Sequence, residues 1–316
     1  SQQPPSTASS AGSAAPDVSA EAPTTPPPPP DFSTIATENA VSHQYDTRTA
    51  RWSETRVAVK ISTTPFAHGA LRTAHYVLLN GKLFVAKFAD KSARERYFAD
   101  VEMQMHCKDW AAEYNCYRPP KRVDFVKAAV LELIERDGAP VCGLEHFIDG
   151  KYHKHNNNYG FVNDDERNTP QAFSHFTYEV SEHRLLICDI QGVGDLYTDP
   201  QMCTADGVGF GAGNLGRAGI ERFLATHRCN AICIYLRLPV LNAKSLSIGT
   251  VPALRGAAPM HWADINAAVR PARAAADQEK QRRYAPPSLI VDAQRRASAA
   301  AAADDGSSSS SDDDDS

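Results

Sequence analysis

The run Asp189-Ile-Gln-Gly-Val-Gly-Asp-Leu-Tyr-Thr-Asp199 follows the apolar stretch Leu185-Leu-Ile-Cys188. An apolar strand ending in a carboxylate, then a glycine turn and a second carboxylate, suits metal-phosphate chemistry. Two carboxylates and the Gln191 amide are hard oxygen ligands of the kind Mg²⁺ prefers. One of the carboxylates can also orient a hydroxyl nucleophile. A plain acidic turn has the same composition, so the rest of the chain decides between the two.

Working outward, Arg56-Val-Ala-Val-Lys-Ile61 alternates like a strand. His75-Tyr-Val-Leu-Leu79 and Lys82-Leu-Phe-Val-Ala-Lys-Phe88 flank Asn80-Gly81, a strong hairpin signal because both turn positions need φ > 0. Ser92 and Glu95 have capping-box spacing, which predicts a helix running to about Tyr114. Strands are expected at 129–134, 141–148 and 184–190. Thr169 as an N-cap with Pro170 at the first helical position predicts a helix to about Tyr178. A last helix is expected over 215–226. The order is a β-rich half with one long helix, then a more helical half. It implies an α+β fold of two lobes with a cleft between them.

Of the 316 residues, 1–45 are rich in Pro, Ser, Ala and Thr and include five consecutive prolines, Pro26 to Pro30. They are expected to be a disordered, locally polyproline II tail. The folded domain is expected over 46–245. Residues 246–298 are Ala- and Arg-rich and expected to be largely disordered, and 299–316 form a Ser/Asp tail. The tails are where a regulatory partner would bind. A net charge of −5 and the lack of a basic stripe give no reason to expect nucleic-acid binding. No stretch is long and apolar enough for a membrane span. Seven irregularly spaced cysteines argue against a disulfide framework and for a reducing, cytoplasmic setting.

Three constellations carry chemistry. Lys87 lies inside an apolar strand and can neutralise nucleotide phosphates, with Glu102 on the following helix as a candidate ion-pair partner. The alternative is a solvated strand lysine and an exposed helical glutamate. His227, Cys229 and Cys233 offer three ligands within seven residues, with His175 as a fourth, a set suited to tetrahedral zinc. Buried free thiols beside a surface histidine are the alternative. Gly211, Gly213 and Gly216 satisfy G-x-G-x-x-G, but the residues before them, from Met202 to Gly207, do not read as a strand. A glycine loop shaping a cleft fits better than a dinucleotide fingerprint.

Nine stretches then align in order with one family: 64–72, Phe84-Val-Ala-Lys87, Asp100-Val-Glu-Met-Gln104, 145–152 with Asn156-Asn-Asn158, Phe173-Ser-His-Phe-Thr-Tyr178, 189–194, Thr198-Asp-Pro200, the 209–216 loop and 227–233. The chain resembles the alpha-kinase family of atypical protein kinases over about residues 52–240. The resemblance implies ATP-dependent, Mg²⁺-assisted phosphorylation of serine or threonine in a protein substrate. It implies that Lys87 and Arg72 contact ATP phosphates, and that Glu145 and the backbone near Phe147 form the adenine hinge. Asp189 would be the catalytic carboxylate, Gln191 and Asp199 would hold Mg²⁺, and Asn214 would lie at the cleft. His175, His227, Cys229 and Cys233 would bind a structural Zn²⁺ in the C-terminal lobe. Lys121, Arg167 and Thr169 fall where some members carry a phosphate-docking pocket. The alternative function is a nucleotide-binding, zinc-stabilised scaffold without catalysis.

Overall fold

The computed structural model describes residues 25–69, 72–89, 93–160, 162 and 168–241. In chain order the elements are β1 (Glu38–Asp46), β2 (Arg51–Ile61), β3 (Ala67–His68), β4 (Thr73–Leu79), β5 (Lys82–Phe88), α1 (Arg94–Cys116), β6 (Asp124–Phe125), β7 (Ala128–Glu132) and β8 (Val141–His146). They continue with β9 (Tyr152–Lys154), α2 (Asn168–Val180), β10 (Leu185–Cys188), β11 (Gln191–Val193), β12 (Leu196–Thr198), β13 (Gln201–Thr204), α3 (Gly216–Thr226) and α4 (Ala231–Tyr235).

The first sheet runs β2-β1-β7-β8-β5-β4-β3, and an additional β2–β4 pairing closes six of these strands into a ring. Every pairing in the ring is antiparallel. Its interior is filled by Ala40, Val59, Val77, Ala86, Leu131 and Leu144, among others. Closure runs through only the last three residues of β2, Val59 to Ile61, so the rest of that strand is paired on one side alone. The β4–β5 hairpin turns at Asn80 (φ 50°) and Gly81 (φ 71°), the left-handed pair that its sequence required.

The expected tail at 1–45 is corrected at its end. Glu38–Asp46 forms β1, which pairs with β2 along its whole length and with β7. Ser42 and His43 are both buried polar residues here. They break the apolar alternation by which a strand is recognised. Residues 1–24, 246–298 and 299–316, expected as tails or linkers, lie outside the described residues.

Helix α1 joins two cores. Its first half packs Tyr97 and Val101 against Tyr45, Val130 and Val141 on the outer face of the ring. It also sends Met103, Trp110 and Tyr114 into a second core with Phe173, Phe176, Leu185 and Ile187. Truncating Trp110, 1% exposed, to alanine would cost about 3–5 kcal/mol. The helix starts at Arg94 with Ala93 as an extended N-cap and no side-chain cap bond, and Ser92 lies outside the described residues. Helix α2 begins at Asn168, so Thr169 is its second residue and not its cap.

The second half of the chain builds a sheet β6-β12-β11-β9 and a pair β10-β13. Gly192 sits where β11 and β12 cross closely; a Cβ there would lie 2.2 Å from the Leu196 carbonyl oxygen. The residues before the glycine loop, expected to be irregular, include strand β13. It is antiparallel to β10 and not part of a βαβ unit, so the dinucleotide reading stays excluded.

Candidate active site and metal centre

Strand β5 alternates, with Ala86 inside the ring and Lys87 outside it. The Lys87 ammonium donates to Glu145 Oε2 at 2.7 Å, Asp199 Oδ2 at 2.7 Å and Thr198 Oγ1 at 2.9 Å. The Thr198 hydroxyl in turn donates to Glu145 Oε2. Glu102 is therefore not the partner of Lys87; it accepts from the Tyr45 hydroxyl at 3.4 Å. Glu145 takes that place because β5 and β8 pair with Val85 opposite Glu145 and Lys87 opposite Gly143. Burial opposes the charge on Lys87, but Asp199 and Glu145 outweigh it and hold its pKa above the ordinary lysine value.

Arg72 pairs with Asp100 on α1 and lies 3.6 Å from Asp199 Oδ1. Burial would raise the Asp199 pKa, yet Lys87 and Arg72 together hold it below the usual carboxylate value. Asp189 differs. Burial lifts its pKa, and Lys154, 2.7 Å away on β9, only partly offsets that. One of the two carboxylates is thus firmly ionised, while the other holds its proton more readily, the division of labour expected at a reacting site.

Both carboxylates sit on left-handed backbone, Asp189 at φ 59° and Asp199 at φ 47°. Such positions persist only where surrounding structure fixes them. Asn156 Oδ1 accepts from the Ile190 N–H at 2.8 Å, and the His155 N–H donates to the Ile190 carbonyl at 2.8 Å. Gln104 on α1 accepts from the Asp199 N–H at 3.1 Å and donates to the Val126 carbonyl at 2.9 Å. Gln191 Nε2 donates to the carbonyls of Asp189 and Asp199 at 3.3 and 3.1 Å, which leaves its amide oxygen, the atom able to ligate a hard cation, outside those bonds. Tyr152, also on β9, is packed near the three carboxylates. Burial and the charges of Asp199, Glu145 and Asp189 push its phenol well above the ordinary value.

Asp189, Gln191, Asp199, Lys87, Arg72 and Glu145 therefore converge. Phe147 follows β8, with its N–H donated to the Leu83 carbonyl at 3.1 Å and its ring against Phe66 and Tyr76. Asn214 does not join the cluster. Its side chain braces the glycine loop, accepting from the Thr204 and Gly216 N–H groups and donating to Thr204 Oγ1 and the Gly209 carbonyl. Lys121 is exposed and Thr169 buried, and among the described residues no hydrogen bond joins them. Arg167 lies outside the described residues. Sequence reasoning missed Lys154, Gln104, Thr198 and Tyr152 as site residues. Lys154 reaches Asp189 because β9 pairs with β11, with Lys154 opposite Gln191.

His175, His227, Cys229 and Cys233 also converge. Their ligand atoms all lie within 4.8 Å of one another, and all four residues are buried. Burial pushes the Cys233 thiol up to about 12 and pulls His227 down to about 3. The histidine is thus held neutral, as a metal ligand must be, while thiolates here need a cation to form. Glu179, 3.5 Å from His175 Nε2, is placed to orient that ring, the usual arrangement around a zinc-bound histidine. Asn230 caps α4 through the N–H groups of Ile232 and Cys233 and donates to the Asn168 carbonyl, tying the cluster to the start of α2.

The profile of the Alpha-kinase family matches residues 67–233. The chain belongs to the alpha-kinase family. It is 52% identical over 227 residues to myosin heavy chain kinase B of Dictyostelium discoideum, covering 68% of this chain and 31% of that protein. It is 47% identical over 212 residues to eukaryotic elongation factor 2 kinase of Homo sapiens, covering 63% of this chain and 29% of that protein. The alignments thus span about a third or less of these relatives' lengths. The crystal structure of the alpha-kinase domain of myosin heavy chain kinase A in complex with ADP superposes with a TM-score of 0.63 at 40% identity, covering 66% of this chain and 99% of that domain. The mixed α/β fold is that of the alpha-kinase domain. The family's matched stretch contains Lys87, Glu145, Asp189, Gln191, Asp199 and the whole His/Cys cluster. Among the described residues no helix is long and apolar enough to cross a membrane.

Proposed function

We propose that this chain is a protein serine/threonine kinase that transfers the γ-phosphate of ATP to a protein hydroxyl. The observation that carries the reading is the Lys87 ammonium held between Glu145 and Asp199, with Arg72 close by. Lys87 and Arg72 are the groups that bind and orient the nucleotide phosphates. Asp189 accepts a hydrogen bond from the substrate hydroxyl and aligns it for in-line attack. Its raised pKa suits it to take the proton late, as charge leaves the nucleophile. Lys154 keeps Asp189 oriented and limits that rise. Gln191 and Asp199 would hold Mg²⁺, whose chemistry is to neutralise charge on the phosphates. The Glu145 side chain, expected at the adenine hinge, instead fixes Lys87, which leaves the segment around Phe147 to read the adenine. The rate enhancement comes mainly from positioning and electrostatics.

His175, His227, Cys229 and Cys233 would hold a Zn²⁺ with a structural role, since all four positions come from the protein. Asn214 serves the substrate cleft by shaping the glycine loop. Lys121, Arg167 and Thr169 remain the proposed phosphate-docking set. Seven free cysteines support a reducing, cytoplasmic setting.

The test is radiolabelled phosphate transfer from Mg-ATP by the full chain to a generic basic protein, beside Asp189→Ala matched for melting temperature. Transfer that vanishes in the variant supports the assignment. Transfer that survives in it refutes the role of Asp189. ATP binding by the wild type without any transfer favours the non-catalytic scaffold.

A further inference from the structure

The segment after Thr25 crosses the outer face of the strand ring. The Tyr76 hydroxyl on β4 donates to the Pro27 carbonyl, and Lys60 Nζ on β2 donates to the Phe32 carbonyl at 2.6 Å. Lys60 is opposite Leu78, two residues from Tyr76, so both anchors lie on one face. Val59, Ile61 and Val77 point the other way, into the ring. Between the anchors Asp31 turns the chain, its carboxylate accepting from the Ser33 N–H and hydroxyl. Tyr76 is only 2% exposed. Its ring stacks on Phe66 at 4.1 Å and 21°, and lies 5.4 Å from Phe147.

Proline carbonyls in a polyproline II run have no internal hydrogen-bond partner, and the run is extended before it binds. Aromatic rings that pack against such a run, with a hydroxyl aimed at one of its carbonyls, are what polyproline-binding grooves supply. We propose that Tyr76, Phe66 and Phe147 form a polyproline-binding cradle, and that its occupant is this chain's own Pro26–Pro30 segment. Seven residues separate Pro30 from Glu38 of β1. A tether that short gives an effective concentration on the order of millimolar, so a weak contact stays docked.

The cradle borders the nucleotide cleft. On the outer face Tyr76 is opposite Val85, and Val85 is opposite Glu145, the partner of Lys87. Phe66 leads into the hairpin that ends at Arg72, and its N–H donates to the Ala74 carbonyl at 2.8 Å.

The test uses the full chain and a fluorescent peptide copying residues 25–33, read by anisotropy. Wild type, with its cradle filled, is expected not to bind the peptide. A chain with Pro26, Pro27, Pro28, Pro29 and Pro30 all changed to Ser is expected to bind it. Adding Tyr76→Phe should weaken that binding roughly fivefold, the loss of one neutral hydrogen bond. Equal peptide binding by wild type and the serine chain, or none by a serine chain of normal melting temperature, overturns the proposal. So does binding indifferent to Tyr76→Phe. If the serine chain does not fold, Tyr76→Phe alone in the full chain is read by hydrogen exchange. Faster exchange over 33–37 supports the docking, and unchanged exchange overturns it.

Discussion

Replacing Gln104 by Met tests whether Asp199 is held from behind. Gln104 is 3% exposed, and its amide joins the Val126 carbonyl to the Asp199 N–H. Methionine keeps the length of the side chain and removes both polar atoms, so two backbone groups lose their partner. Each buried group left unpaired costs about 1–3 kcal/mol. The Asp199 side is only partly buried, where water can compensate. The sum is then about 2–4 kcal/mol. Asp199 also sits at φ 47°, and the bond to Gln104 is one of the restraints that keep it there. Misplacing a group at the reacting centre by an ångström costs on the order of 100-fold. Urea unfolding reads the first effect, and phosphate transfer from Mg-ATP reads the second. A stability loss below about 0.5 kcal/mol would refute the hydrogen-bond argument. A loss of the expected size with full turnover would refute the positioning of Asp199 and leave only the packing role.

Asp109 gives a pH signature away from the site. Burial lifts its carboxyl from 3.8 to about 6, so the folded state binds the proton more tightly and stability falls as pH rises from about 4 to about 6. Asp109→Asn should therefore gain up to about 3 kcal/mol at pH 7 and far less at pH 4 in paired urea titrations, and equal differences at both pH values would contradict the assignment. Lys154→Met removes the charge that pulls the Asp189 pKa down. With Asp189 as the base proposed above, which must be ionised, the acid limb of kcat/KM should move to higher pH, and a stationary limb would sink the pairing. Cys233→Ser, or prolonged dialysis against a zinc chelator, should abolish stoichiometric zinc by emission spectroscopy and lower Tm. A chain that melts normally after losing all four-ligand metal binding would rule out a structural zinc.

Local signals in the sequence were legible where they depend on neighbouring residues. Asn80-Gly81 required a hairpin and made one, with β5 at the expected bounds. His175, His227, Cys229 and Cys233 announced themselves by ligand chemistry, and they come together. Register was not legible. Lys87 finds Glu145, 58 residues away, because β5 and β8 pair in one register, and nothing in either strand alone specifies it. The same limit hid Lys154, placed by the three-residue strands β9 and β11, too short to show a period. Ring closure through β2 and β4 was hidden as well, and β1 was lost to its buried Ser42 and His43.

The charges of the site explain how so many polar groups can be gathered in one place. Lys87, Arg72 and Lys154 stand against Glu145, Asp199, Asp100 and Asp189, three cations to four carboxylates. A buried cation left unpaired is strongly destabilising, so the carboxylates hold Lys87 and Arg72 in place. On the proposed function, an incoming polyphosphate would compete with Asp199 for Lys87 and Arg72. It would thereby release the oxygens of Asp199 when a divalent cation would need them. Glu145, 7% exposed and bonded by Thr198, is not released in that exchange and keeps Lys87 in register. Asp199→Asn should on this argument bind nucleotide without magnesium at least as well as wild type while losing phosphate transfer. Removal of Glu145 should weaken nucleotide binding itself. Identical effects of the two replacements on magnesium-free binding would show that the two carboxylates do not divide the work in this way.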